Sequence, residues 1–130
     1  MIALLHIVAL SGCAKPDQIT TLKSPNSEFF YTVETYDGHG SVSSDFTRVY
    51  AHLERNGKVD KNLLLDGEYL VVAKVVWLGP NEAILCVPQG FTNTFRNQIT
   101  LHVDNSPSNT LRTHLQEDNC GPEDRSSMPK

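Results

Sequence analysis

The order of strand-like runs and turns predicts an all-β, mainly antiparallel domain: a single small sandwich, meander or partial barrel of about six strands, with at most one short C-terminal helix. Three observations carry this expectation. Phe46 to Glu54 alternates, with Thr47, Val49, Ala51 and Leu53 on one side and Phe46, Arg48, Tyr50 and His52 on the other, as a half-exposed antiparallel strand does. Arg55-Asn56-Gly57-Lys58 follows it, and Asn-Gly is the favoured pair for a tight strand reversal. Turn residues then recur at short intervals, at Asp66-Gly67, Gly79-Pro80-Asn81 and Pro88-Gln89-Gly90.

The elements fall in order. Ser24-Pro25-Asn26-Ser27 is a turn signal that closes a linker. Glu28 to Tyr36 is dense in aromatic residues, Thr and Val, and so has high strand propensity. Asp37-Gly38-His39-Gly40 and the small polar residues to Asp45 form the next connection. After the Asn-Gly turn, Lys61 to Leu65 forms a short return strand before Asp66-Gly67 turns the chain. Tyr69 to Leu78 is the most apolar stretch of this region and is expected as a central strand covered on both faces. Ala83 to Val87 resumes as strand. Asn97 to Val103 places Ile99, Leu101 and Val103 on one face. Leu111 and Leu115 stand at one-turn spacing, which fits a short helix over residues 106–116.

Ahead of this domain, Ile2 to Leu10 is a run of about nine mostly apolar residues. That suits a secretory segment and falls far short of the roughly 20 residues a spanning helix needs. Leu10-Ser11-Gly12-Cys13 ends the run and resembles the lipobox of bacterial lipoprotein precursors. The resemblance implies a signal peptide over 1–12 that is cleaved, a lipidated Cys13 opening a linker over 13–27, a β-domain over 28–116 and a flexible tail over 117–130. It also implies three acyl chains on Cys13, and stable anchoring takes more than one. Ala14, not Asp, follows the cysteine, which is compatible with the outer membrane, facing the periplasm, over the inner one. Ser24-Pro25-Asn26, Asp37-Gly38-His39-Gly40 and Ser43-Ser44-Asp45-Phe46 are in addition similar to segments of small envelope lipoproteins of unassigned function. The stretch from Trp77 to Leu85 resembles the strand-turn-strand of propeller blades, but the chain has scarcely the length for two blades.

Composition excludes some roles. The 15 Asp and Glu outnumber the 11 Lys and Arg, and the basic residues are scattered, without the clustered footprint that nucleic-acid binding leaves. With Cys13 acylated, Cys86 and Cys120 remain. The oxidising periplasm permits a bridge between them, which would constrain the unfolded chain by about 3 kcal/mol. A buried thiol and a tail thiol is the alternative.

The chemistry-bearing candidates are few. His39 between Asp37 and Asp45 lies in a glycine-permitted loop where a ligand or metal could approach, but metal sites need three or four ligands and no second His is near in sequence. Ser41, Ser43 and Ser44 lie near His39 without a nucleophile elbow around them. His52 and His102 sit on the polar-facing register of their strands, where exposed or hydrogen-bonded imidazole is usual. Phe91, Phe95 and Arg96 share a polar loop, and these residue types anchor protein interfaces. No catalytic set, metal site or cofactor is expected. The leading expectation is a lipid-anchored, non-catalytic module that meets a protein partner through loops 37–46 and 90–97, as an inhibitor or immunity protein would, with His39, Phe91, Phe95 and Arg96 as contacts. The alternatives are a small periplasmic hydrolase or metal binder using the 37–45 loop, and an envelope assembly factor.

Overall fold

A computed structural model describes residues 15–25, 28–37, 45–105, 107–117 and 120. Nine strands run in the order β1 (Gln18–Lys23), β2 (Phe29–Tyr36), β3 (Phe46–Arg55), β4 (Lys58–Val71), β5 (Lys74–Gly79), β6 (Glu82–Cys86), β7 (Gln89–Phe95), β8 (Gln98–Leu101) and β9 (Asn109–Gln116). They form a five-stranded sheet, β1-β2-β3-β4-β7, and a four-stranded sheet, β5-β6-β9-β8. All pairings are antiparallel except β6 with β9, which is parallel. The class is the one expected, all-β and mainly antiparallel, as a small sandwich. Among the described residues there is no helix.

The alternation in β3 orients the larger sheet. Thr47, Val49, Ala51 and Leu53 are buried, and they pack with Tyr31, Val33, Leu64 and Leu65 against Ala83, Leu85, Ile99, Leu101 and Leu111 of the smaller sheet. A register shift between Val49 and Tyr50 lets Leu64 and Leu65 both enter this core, since a bulge places an extra residue on the same side. Asn56 and Gly57 turn the β3–β4 hairpin at φ 53° and 78°, the left-handed geometry that an Asn-Gly pair supplies. Tyr31 joins the sheets twice: its hydroxyl shares a 2.7 Å hydrogen bond with Thr113 Oγ1, and its ring stacks on Trp77 at 5.2 Å.

Several expectations are corrected. Among the described residues the strands number nine, against the expected six or so. Residues 18–23, expected as linker, form β1. Asp66-Gly67 does not turn the chain but lies within β4, where Gly67 is needed because a Cβ would stand 1.9 Å from the Phe91 carbonyl oxygen. Tyr69 to Leu78 is not one central strand: β4 ends at Val71, and β5 starts at Lys74 as an edge of the other sheet. The 90–97 loop is mostly the edge strand β7. The expected helix over 106–116 is replaced by β9, whose Leu111 and Thr113 point into the core at strand spacing.

Candidate functional site

Two surfaces of the larger sheet depart from plain solvated strand. The first is its outer face. Register pairs Phe30 with His52, Thr32 with Tyr50, Glu34 with Arg48 and Tyr36 with Phe46, so the side chains turned away from the core form a block of rings. Cations are laid on it. Lys23 Nζ stands 5.6 Å from the Phe30 ring centre, the Arg48 guanidinium 5.3 Å from Tyr36 and 5.4 Å from Phe46, and Lys61 Nζ 4.6 Å from Tyr50. These distances lie within the range of cation–π attraction. Phe30 and His52 stack at 4.5 Å.

Polar groups fix the rings. Tyr36 donates its hydroxyl proton to Glu34 Oε1 at 2.7 Å, and partial burial together with that carboxylate raises the Tyr36 pKa. His52 Nε2 meets Thr32 Oγ1 at 2.8 Å, while its Nδ1 is buried without a hydrogen-bond partner. Burial lowers the His52 pKa, and Lys61 pushes the same way against the opposing pull of Glu34.

The second surface is one end of the same sheet. Register carries a row across it from Gln18 through Thr35, Thr47 and Gly67 to Thr92, and the next row runs through Tyr36, Phe46, Glu68 and Phe91. Beyond that row, Tyr69 holds φ 59° and Gly90 φ 113°. A Cβ on Gly90 would stand 2.5 Å from Leu70 Cα and 2.6 Å from the Tyr69 carbonyl oxygen. The backbone therefore crosses closely here, and pairing shifts between Glu68 and Val71. A bulky residue at positive φ is strained, and such strain clusters where side chains are displayed for use. Tyr69 is 48% exposed, Val71 44%, Ile19 57% and Phe91 70%. A cleft of about 390 Å³ opens at this end, lined by Tyr36, Phe46 and Tyr69 with Asp17, Asp37 and Asp45. The Asp37 N–H donates to Asp17 Oδ2 at 2.5 Å, and the Tyr69 N–H to the Asp45 carbonyl at 3.0 Å.

The candidates drawn from sequence are brought together only in part. Cys13, His39, Ser41, Ser43 and Ser44 lie outside the described residues. Asp37 and Asp45 border the cleft, whose described lining contains no His, Cys or Ser. Phe91 is exposed on β7, whereas Phe95 is half-buried and packs against the core. The Arg96 backbone N–H donates to the Leu64 carbonyl at 2.8 Å, closing the end of β7 on β4. Cys86 and Cys120 form a disulfide, with Cα atoms 5.7 Å apart. The His102 backbone N–H donates to Asp60 Oδ2 at 2.8 Å. Among the described residues, no three His, Cys, Asp or Glu side chains are placed to hold a metal ion, and no helix is long and apolar enough to cross a membrane.

Sequence reasoning missed the outer face and Tyr69. The face had a signal: even-numbered positions from Phe30 to Tyr36 and from Phe46 to His52 hold five rings, and antiparallel pairing puts them on one side. Tyr69 had none, because its display depends on a backbone crossing. No family model, curated protein or solved structure matches the chain.

Proposed function

We infer that this chain is a lipid-anchored, non-catalytic protein-binding module of the bacterial envelope, which meets its partner on the outer face of the five-stranded sheet. The observation that supports this is the set of ring and cation pairs linking Lys23, Phe30, Tyr36, Phe46, Arg48, Tyr50 and Lys61. Rings held on paired strands lose little side-chain freedom on binding, which is one of the costs that association must offset. Aromatic residues and Arg are also the types that dominate binding energy at interfaces. The lipobox-like Leu10-Ser11-Gly12-Cys13 supplies the anchor, and the tether concentrates the face where its partner passes. Blocking of an envelope-acting enzyme is the role we favour, because it needs a rigid surface and no chemistry. The alternative, hydrolysis or metal binding on the 37–45 loop, has only carboxylates and the phenols of Tyr36 and Tyr69 among the described ionisable groups lining the cleft.

The test is photo-crosslinking in the native host from a reactive residue at position 50, compared with one at Thr100 on the other sheet. A discrete crosslinked partner is expected from position 50 alone, and Arg48→Glu is expected to abolish it. Equal crosslinking from both positions, or indifference to Arg48→Glu, would overturn the assigned face. Separately, Cys13→Ser is expected to abolish fatty-acid labelling.

A further inference from the structure

The described chain begins at the end of the sandwich where its exposed apolar side chains gather. Asp17 donates its backbone N–H to the Thr35 carbonyl at 2.7 Å, so the strand from Gln18 onward is tied to the sheet, and β1 then runs away from this end to Lys23. Phe91, Tyr69 and Val71 lie at the same end by register, with Ile19 two residues in from the edge. Among the described residues they are four of the six large hydrophobic side chains that stand exposed, and Phe91 is the most exposed of these at 70%.

Where Cys13 is acylated, four residues separate it from Gln18, and the five Cα-to-Cα steps reach at most about 18 Å even fully extended. The width of the sheet from β1 to β7 is four strand spacings, about 19 Å. The tether is therefore no longer than the sheet end is wide, and it holds that end, not the opposite one, against the headgroups.

We propose that this end of the sandwich rests on the bilayer, with Ile19, Tyr69, Val71 and Phe91 set into a zwitterionic headgroup layer and the strands standing away from it. The proposal rests on the lipid-anchor reading and adds an orientation to it. Aromatic side chains favour the membrane interface, where an apolar ring and a wet surround meet. The charges choose the lipid. Asp17, Asp37, Asp45 and Glu68 share this end, so an anionic surface is repelled, while the ammonium of a phosphatidylcholine or phosphatidylethanolamine headgroup meets carboxylates and the face of Tyr69. In this orientation the ring-bearing outer face stands upright and open to the envelope space.

The native Trp77 provides an internal control, because it lies beside Ser24 and Pro25, toward the end of β1 opposite Gln18. The acylated protein is reconstituted in phosphatidylcholine and phosphatidylethanolamine vesicles with brominated acyl chains. The Trp77→Phe, Phe91→Trp double variant is expected to lose at least about half its indole emission relative to unbrominated vesicles, and the native protein almost none. Replacing a large share of the lipid by phosphatidylglycerol is expected to weaken the quenching at position 91. Should Trp77→Phe impair folding, the single variant Phe91→Trp reads the quenched fraction by difference. Absent or equal quenching at the two positions, in protein that still floats with the vesicles, would overturn the orientation and leave the anchor standing. Loss of flotation with an unmodified Cys13 would overturn the anchor and the orientation together.

Discussion

The five-stranded sheet turns Phe30, Tyr36, Phe46, Tyr50 and His52 outward under three cations, whereas the four-stranded sheet turns out Glu82, Ile84, Arg112 and His114, with His114 hydrogen-bonded to Glu82. There His114 Nε2 meets Glu82 Oε2 at 2.7 Å, with both side chains well exposed, and such surface pairs contribute about 0–1 kcal/mol. Both sheets bury the same kinds of aliphatic side chain toward each other. The difference therefore lies outside the core, and packing alone does not require it. The smaller sheet carries the covalent closure between β6 and Cys120; the larger carries rings, cations and a strained display of Tyr69. One is fastened covalently, and the other carries its rings and cations on the surface.

The largest expected effect falls on the fastening. Cys86 and Cys120 are 34 residues apart in sequence, and a cross-link over such a loop constrains the unfolded chain by about 3–4 kcal/mol. Cys86→Ser with Cys120→Ser should lower the stability in urea by about that amount, matching the native protein treated with reductant. Hydrogen exchange should rise in β6 and β9 more than in β2 and β3. Uniform loss across both sheets would mean that they unfold as one unit and that the contrast drawn here concerns the surface only.

A smaller effect tests the display. Gly90→Ala places a methyl against the backbone of Leu70 and Tyr69 at a φ of 113°, and should destabilise by about 2–3 kcal/mol through strain and displacement of β7. Gly57→Ala is the comparison, since it has φ 78° with nothing within 4 Å and should cost only about 1 kcal/mol of left-handed strain. Similar losses for the two, measured by thermal unfolding, would remove the argument that the β4–β7 crossing is tightly built.

These two glycines also show what could be read without coordinates. Gly57 follows Asn in a hairpin signal and is local, so it was legible; Gly90 is required by Tyr69 and Leu70, more than eighteen residues away in the chain, and was not. The alternation of β3 was legible because one face is buried. Strand β1 was not, because as an edge strand it has five of its six residues exposed and lacks an apolar face. In β9 the inward positions are Leu111, Thr113 and Leu115, and the polar Thr113 breaks the apolar alternation. The two leucines then mimic helical spacing, and only the Tyr31 hydroxyl, distant in sequence, explains why a threonine can be buried there. The candidate site suffered in the same way: single residues were found in loops, while the ring-bearing face is a product of pairing β2 with β3.

The bond between Tyr31 and Thr113 is where the two sheets meet through polar side chains, and its removal should have an intermediate effect. Burial pushes the Tyr31 hydroxyl up to about 12, against the opposing influence of Thr113, so it is neutral throughout the ordinary range. Tyr31→Phe leaves Thr113 Oγ1 buried without its partner and should destabilise by about 1–2 kcal/mol. Tyr31→Phe with Thr113→Val removes both ends and should recover part of that loss. Strictly additive losses in the double-mutant cycle would show that the bond does not couple the sheets.

The smallest effect distinguishes the outer face from the rest by pH. His52 is 8% exposed, and its folded pKa lies below the ordinary 6.5, through burial first and Lys61 second. Its neighbours on the face are Phe30, Thr32, Glu34, Tyr50 and Lys61, of which Glu34 alone favours the charged ring. Above pH 6.5 the imidazole is neutral in both folded and unfolded chains, and its contribution is fully present. As pH falls through 6.5 the unfolded chain takes up the proton first, so stability is lost until the folded ring also protonates. His52→Phe should flatten the stability curve over about pH 5 to 7 relative to the native protein. A native curve already flat in that window, or one that His52→Phe leaves unchanged, would show that the stacked imidazole is not held neutral by its burial among the rings.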